Sequence, residues 1–195
     1  MKTSLALYVM LKNRENGGKG LYITLEESRE SLLTTMERLG LGSEEDFIVD
    51  LGKLRIDHSD AEERRDWLQI LRDYFTRRLE KDKLDLVVVD PLNSLYSLMG
   101  IRDPRKDLFH FFSFLRGMGA TSILISETGA GGPAFENHED YLADGAIVLD
   151  FAAVENPEPV IELRCPKMRH ANHSRATYRL AFSGGRFAVS GLAED

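Results

Sequence analysis

The chain has 195 residues, 43% of them apolar and 29% charged, with a formal net charge of −7; that suits one well-buried soluble domain and is short for two. The acidic balance argues against gripping a nucleic acid backbone as the main task, and no apolar run approaches the ~20 residues that span a bilayer. A single cysteine, Cys165, excludes an internal disulfide and fits a reducing cytosol.

The first ten residues, MKTSLALYVM, admit two readings. Leu5 to Leu11 is long enough for the apolar segment of a secretory signal peptide. The next residues, Lys12-Asn13-Arg14-Glu15-Asn16, are charged and offer no small-residue cleavage site. The segment therefore predicts a short helix with Leu5 and Val9 on its buried face, ending before Gly17-Gly18.

An alternation of strand and helix begins at Gly20. LYITL (21–25) is a short apolar, β-branched run, the pattern of a buried strand. Ser28 is a good N-cap for a helix carrying Leu32, Leu33, Met36 and Leu39, and Gly40 suits its C′ position. FIVD (47–50) is the next strand. Ser59-Asp60-Ala61-Glu62 reads as a capping box, ahead of a helix whose face carries Trp67, Leu68, Ile70, Leu71, Tyr74, Phe75 and Leu79. LDLVVVD (84–90) carries the plainest buried-strand pattern, followed by an irregular stretch through Pro104 and a helix with Leu108, Phe111, Phe112 and Leu115. SILIS (122–126) and AIVLD (146–150) are further strands. This alternation predicts a single α/β domain over 1–195, with a largely parallel sheet covered on both faces. The last forty or so residues change character: VIELR, TYRLAF and RFAVS predict antiparallel strands, with Ser183-Gly184-Gly185 as a tight hairpin turn. Gly129 to Glu139 is the expected mobile loop.

In an open parallel sheet, ligands bind outside the carboxyl ends of the strands. Three predicted strands end there in polar or acidic residues: Glu26-Glu27, Asp90 and Ser126-Glu127. Each alone suits a loop or a cap. Together they place carboxylates side by side, where they repel unless a cation or a proton lies among them. At the opening, Lys2-Thr3 matches the last two positions of the phosphate-binding pattern G-x-x-x-x-G-K-[ST], in which glycine amides wrap the phosphates, the lysine reaches the outer phosphates and the hydroxyl binds Mg²⁺.

The order Lys-Thr-helix, GGKGLYITLEES, LDLVVVDPLNSLY, ILISE, YLADGAIVLD and PKMRHANHSRATY resembles the KaiC-like branch of the RecA superfamily over nearly the whole chain. The resemblance implies a RecA-like P-loop NTPase fold with ATP and Mg²⁺ as ligands. It implies that Lys2 and Thr3 are the P-loop lysine and the Mg²⁺-binding hydroxyl, and that Asp90 is the Walker B carboxylate that holds the metal through water. Glu26 and Glu27 match the acidic pair that orients the attacking water, and Ser126 stands where a sensor of the γ-phosphate is found. Lys167 and Arg169 match a paired basic finger that reaches the ATP of a neighbouring subunit. It further implies a cytoplasmic homo-oligomeric ring such as a hexamer, slow ATP hydrolysis at subunit interfaces, and a regulatory protein partner.

Two departures accompany the match. The glycine-rich half of the P-loop and the strand before it lie outside the sequence, which leaves a gap in the expected sheet; either they lie upstream, or the chain is a degenerate relative acting as a non-catalytic scaffold or interaction module. His170 stands where the family usually has glycine. Other signals are weaker. Cys165, His170 and His173 lack a fourth ligand for zinc and sit beside Lys167 and Arg169. Asn172-His173-Ser174 fits a glycosylation acceptor, which has no role in a cytosol. Phe109, Phe111, Phe112 and Phe114 suit packing better than base stacking. Arg102, Arg105 and Lys106, next to Asp103 and Asp107, make a thin case for DNA.

Overall fold

A computed structural model describes residues 1–56, 67–99, 104–127, 135, 137–152 and 160–191. The chain divides into two compact units, Met1–Glu127 and Thr128–Asp195.

The first unit is a parallel α/β layer. Its elements are α1 (Lys2–Glu15), β1 (Gly20–Thr24), α2 (Arg29–Arg38), β2 (Ile48–Asp50), α3 (Leu51–Ile56), α4 (Trp67–Lys81), β3 (Leu86–Asp90), α5 (Leu92–Met99), α6 (Pro104–Gly117) and β4 (Thr121–Leu124). The sheet order is β2-β1-β3-β4, every pair parallel. All residues of β1 and β3 are buried, which accounts for their near-continuous apolar sequence: successive side chains point to opposite faces, so both faces are covered. On one face Tyr22, Ile48, Leu86 and Val88 pack against Ala6, Leu7, Met10 and Leu11 of α1 and Leu32 and Met36 of α2. Leu21, Ile23, Val87 and Val89 alternate with them and are equally buried.

Local chemistry sets the ends of α2. The Ser28 hydroxyl accepts the Ser31 amide at 3.2 Å, satisfying one of the helix's unpaired N–H groups. Gly40 takes φ +66, and the next amide, that of Leu41, bonds the Met36 carbonyl at 2.8 Å. This is the left-handed stop that glycine adopts without steric cost.

The second unit holds α7 (Glu139–Leu142) and an antiparallel meander of β5 (Gly145–Phe151), β6 (Ile161–Met168), β7 (Thr177–Ser183) and β8 (Arg186–Gly191), in that order. Gly184 and Gly185 both take positive φ, +57 and +75, as a two-residue hairpin turn that matches strand twist requires. Phe182 and Phe187 face each other just inside it, ring centroids 4.8 Å apart.

Several expectations are corrected. AIVLD, read with the α/β strands, belongs to β5, which pairs antiparallel with β6 and opens the second sheet. The stretch after Asp90, expected to be irregular, contains α5, and α3 follows β2 directly, where no element was expected. Both helices are short and lack the long repeating stripe that periodicity detects. Helix α1 forms as expected, but its buried face is Ala6, Leu7, Met10 and Leu11, with Val9 37% exposed. Ile70, assigned to the inner face of α4, is likewise 37% exposed, whereas Leu71 and Phe75 are buried. The capping box at 59–62, Arg102 and most of the glycine-rich loop at 129–139 lie outside the described residues.

Candidate nucleotide site

Helix α1 delivers its first turn to the carboxyl edge of the parallel sheet. The Thr3 hydroxyl donates to Asp90 Oδ2 at 2.7 Å, tying the start of α1 to the tip of β3. Lys2 Nζ donates to the Ser126 carbonyl at 3.2 Å, which ties the same turn to the exit of β4. No side chain caps the N-terminus of α1, and its first turn holds no acidic residue. Its amides and the positive end of its dipole are thus available to an anion.

Asp90 is buried, with 8% exposure. A second donor meets the same oxygen: the Tyr22 hydroxyl, at 2.5 Å. Burial first, and the Asp90 carboxylate second, hold that phenol protonated far above the ordinary tyrosine range.

A cleft of about 90 Å³ is lined by Lys2, Thr3, Thr24, Glu26, Glu27, Asp90, Pro91, Ile125 and Glu127. Parallel pairing produces this convergence, because Thr24 is level with Asp90 and Val89 with Leu124, so the strands end together. Glu26 and Glu27 are exposed on the β1–α2 turn. Ser94, in the first turn of α5, donates to Glu26 Oε1. The Ser31 hydroxyl donates to Glu27 Oε2 at 2.9 Å, and the Thr24 hydroxyl to the Glu27 carbonyl at 2.6 Å. Asn93 fastens the β4 exit: its Oδ1 accepts the Ser126 hydroxyl at 3.2 Å and the Glu127 amide at 2.8 Å. Ser126 thus offers its carbonyl to Lys2 and its hydroxyl to Asn93, while its neighbours Ile125 and Glu127 line the cleft.

Of the residues singled out from sequence, Lys2, Thr3, Glu26, Glu27 and Asp90 share this cleft, and Ser126 borders it through Lys2. Lys167 and Arg169 belong to the second unit. Lys167 Nζ donates to the Asp140 carbonyl at 2.5 Å; Arg169 donates to the Tyr141 carbonyl at 2.8 Å and to Asp144 Oδ1 at 3.3 Å. The two cations thereby bind the last turn of α7 and the segment after it, where helix carbonyls are left unpaired. Sequence reading linked Tyr-Leu-Ala-Asp-Gly with Lys-Met-Arg only by order; here they are neighbours. His170 takes φ +60, a left-handed backbone that a residue with a Cβ adopts at a cost. A glycine preference at this position has that physical cause.

Tyr22, Asn93 and Ser94 were not assigned to the site from sequence, whereas Glu127, expected at the rim with Ser126, lines the cleft. Tyr22 carries a usable signal, a hydroxyl inside an otherwise apolar strand, since a buried phenol needs a partner.

The donor set suits Mg²⁺. Among the described residues no three Asp, Glu, His or Cys side chains form a metal cage. Mg²⁺ does not require one: it takes oxygen ligands from one or two carboxylates and completes its octahedron with water and phosphate. Thr3 and Asp90 present a hydroxyl and a carboxylate within hydrogen-bond distance of each other, beside Glu26, Glu27 and Glu127 and the Lys2 ammonium. The alternative cation, zinc at Cys165, His170 and His173, has no such cluster among the described residues.

Comparison with known proteins agrees with the fold. The family model described as "ATPase: KaiC" matches residues 1–189. No curated protein matches the chain. Among solved structures it is similar to the KaiC-like protein PH0186 from the hyperthermophilic archaeon Pyrococcus horikoshii OT3, with 24% identity and a TM-score of 0.74, over 93% of this chain and 79% of that one. The fold is that of the RecA-like P-loop NTPases. The chain belongs to the KaiC ATPase family, a family of RecA-like ATP-binding proteins.

Proposed function

We propose that this chain binds Mg²⁺ and ATP in the cleft at the carboxyl edge of β1, β3 and β4, and hydrolyses the ATP slowly at an interface between copies of itself. The observation that carries the reading is the pairing of Thr3 with Asp90 at 2.7 Å. It joins a helix start, suited to phosphate, with a buried carboxylate, suited to a metal.

In this reading Lys2 would reach the outer phosphates, and Thr3 and Asp90 would hold the metal. The metal neutralises charge on the phosphate oxygens. Glu26 and Glu27 orient and polarise the attacking water from the β1–α2 turn, where Ser94 and Ser31 fix their carboxylates. Ser126, on the segment that also receives Lys2, reports the state of the γ-phosphate. Lys167 and Arg169 serve the site of a neighbouring copy, where a positioned Arg is worth ~10³–10⁵ in rate. Supplying that charge from another copy makes hydrolysis conditional on ring assembly, and the cycle then switches a protein partner in the cytoplasm.

The test is complementation. Glu26→Gln/Glu27→Gln in one preparation and Lys167→Ala/Arg169→Ala in another each lose ATP turnover, and mixing them restores part of it, because some mixed interfaces carry both intact halves. ATP bound without turnover by the unmodified chain identifies a scaffold instead. Turnover that persists in Glu26→Gln/Glu27→Gln removes the acidic pair from the chemistry.

A further inference from the structure

Strand β1 is buried throughout, and Tyr22 within it is fully buried, with 0% exposure. A phenol is not needed to fill that space, since phenylalanine has nearly the same shape, and burying a hydroxyl is costly without a partner. The partner is the tip of the neighbouring strand. Tyr22 is level with Val88 of β3, two residues short of Asp90. Two residues of strand rise about 6.6 Å, close to the reach of a tyrosine ring and its oxygen. The hydroxyl accordingly donates to Asp90 Oδ2 at 2.5 Å.

The same Oδ2 accepts the Thr3 hydroxyl at 2.7 Å. The two donors differ in what they can do next. Thr3 lies in the first turn of α1 on the wall of the cleft, and it is the hydroxyl that must turn to a metal if the proposed function holds. Tyr22 lies inside the core cluster among Leu7, Met10, Leu32, Met36 and Val88, where its hydroxyl meets the side chains of Asp90 and Thr3. When Thr3 leaves Asp90, Tyr22 still holds it.

We infer that Tyr22 is a positioning residue: its hydroxyl fixes the direction of the Asp90 carboxylate from inside the core, so that Mg²⁺ binding exchanges the Thr3 hydrogen bond without releasing the carboxylate. This rests on the proposed nucleotide site and adds to it a residue that does not touch the ligand.

The experiment is an equilibrium titration of ATP into the full chain and into Tyr22→Phe, first in EDTA and then over a series of Mg²⁺ concentrations, with thermal denaturation of both proteins alongside. The inference expects Tyr22→Phe to bind ATP without metal as the unmodified chain does. It expects the Mg²⁺ concentration for half-maximal enhancement to rise about tenfold, the scale of losing a group that orients a metal ligand. Thr3→Val and the double variant close a cycle. Because Tyr22 is the anchor that remains in the metal-bound state of either background, removing it costs about the same Mg²⁺ response in Thr3→Val as in the unmodified chain. An equal loss of ATP affinity with and without Mg²⁺, or an unchanged Mg²⁺ response in a folded Tyr22→Phe, overturns the inference and leaves the site standing. Absence of any Mg²⁺-dependent ATP binding by the unmodified chain overturns the site itself, and the role of Tyr22 with it.

Discussion

Thr3 and Asp90 are separated by 87 positions and meet at 2.7 Å, hydroxyl to carboxylate, where the first turn of α1 crosses the end of β3. Asp90→Asn keeps the size of the side chain but replaces a carboxylate, on which two hydroxyls converge, with an amide. The expected result is a loss of Mg²⁺-dependent ATP affinity of tenfold or more, together with a stability loss of about 1–3 kcal/mol, chiefly from the poorly matched buried Tyr22 hydroxyl. Nucleotide titration and chemical denaturation on the same preparation measure the two effects separately.

Glu26 and Glu27 are exposed and lie on a turn, so neither carries the fold. Changing either to glutamine leaves the denaturation midpoint nearly unmoved. ATP binding persists, and turnover falls ~10²- to 10⁴-fold in whichever variant removes the group that polarises the water. Single-turnover kinetics beside a binding isotherm distinguish this from a loss of affinity.

Helix α1 gives a test of the fold. Leu7 is fully buried in the cluster between α1 and the sheet, while Val9 is 37% exposed. Leu7→Ala should cost about 2–5 kcal/mol and Val9→Ala within about 0.5 kcal/mol. Urea unfolding curves suffice; equal costs contradict the placement of the helix.

His170 occupies φ +60. His170→Gly relieves the backbone and is expected to stabilise the protein by about 1 kcal/mol, the order of the left-handed penalty for a residue with a Cβ. The readout is a rise in melting temperature. A fall of similar size shows that the imidazole makes a contact worth more than the strain.

At the other end of the sheet, Lys19 hydrogen-bonds Asp82 and holds its carboxyl below the ordinary range. The sign comes from linkage: a depressed folded pKa stabilises above the unfolded value and is lost as pH falls through the carboxylate range, below about pH 4. Asp82→Asn should therefore lower the urea midpoint slightly at pH 7, and the difference from the unmodified chain should shrink steadily as pH falls below about 4. A constant difference across that range rejects the ion pair as its source.

Much of this was legible in the sequence because it depends on local rules. LVVVD reads as a doubly covered strand, Ser28 and Gly40 mark the ends of α2, and Gly184-Gly185 marks a hairpin. The carboxylates at 26, 27 and 90 share a rim because parallel strands end together. The hidden features depend on register or partners. AIVLD has the composition of a parallel strand, and only its pairing with Ile161–Met168 makes it antiparallel. Tyr22 looks like core until its level relative to Asp90 is known. Asn93 and Ser94 lie on a helix too short to show a period, so their bonds to Ser126, Glu127 and Glu26 had no sequence signature.

The most direct measurement is an equilibrium titration of the chain with a fluorescent ATP analogue in Mg²⁺. A nucleotide cleft at Lys2, Thr3 and Asp90 predicts saturable binding that weakens about tenfold or more in Lys2→Ala, and again when Mg²⁺ is removed. Binding indifferent to both changes, or no saturation at millimolar nucleotide, contradicts the account.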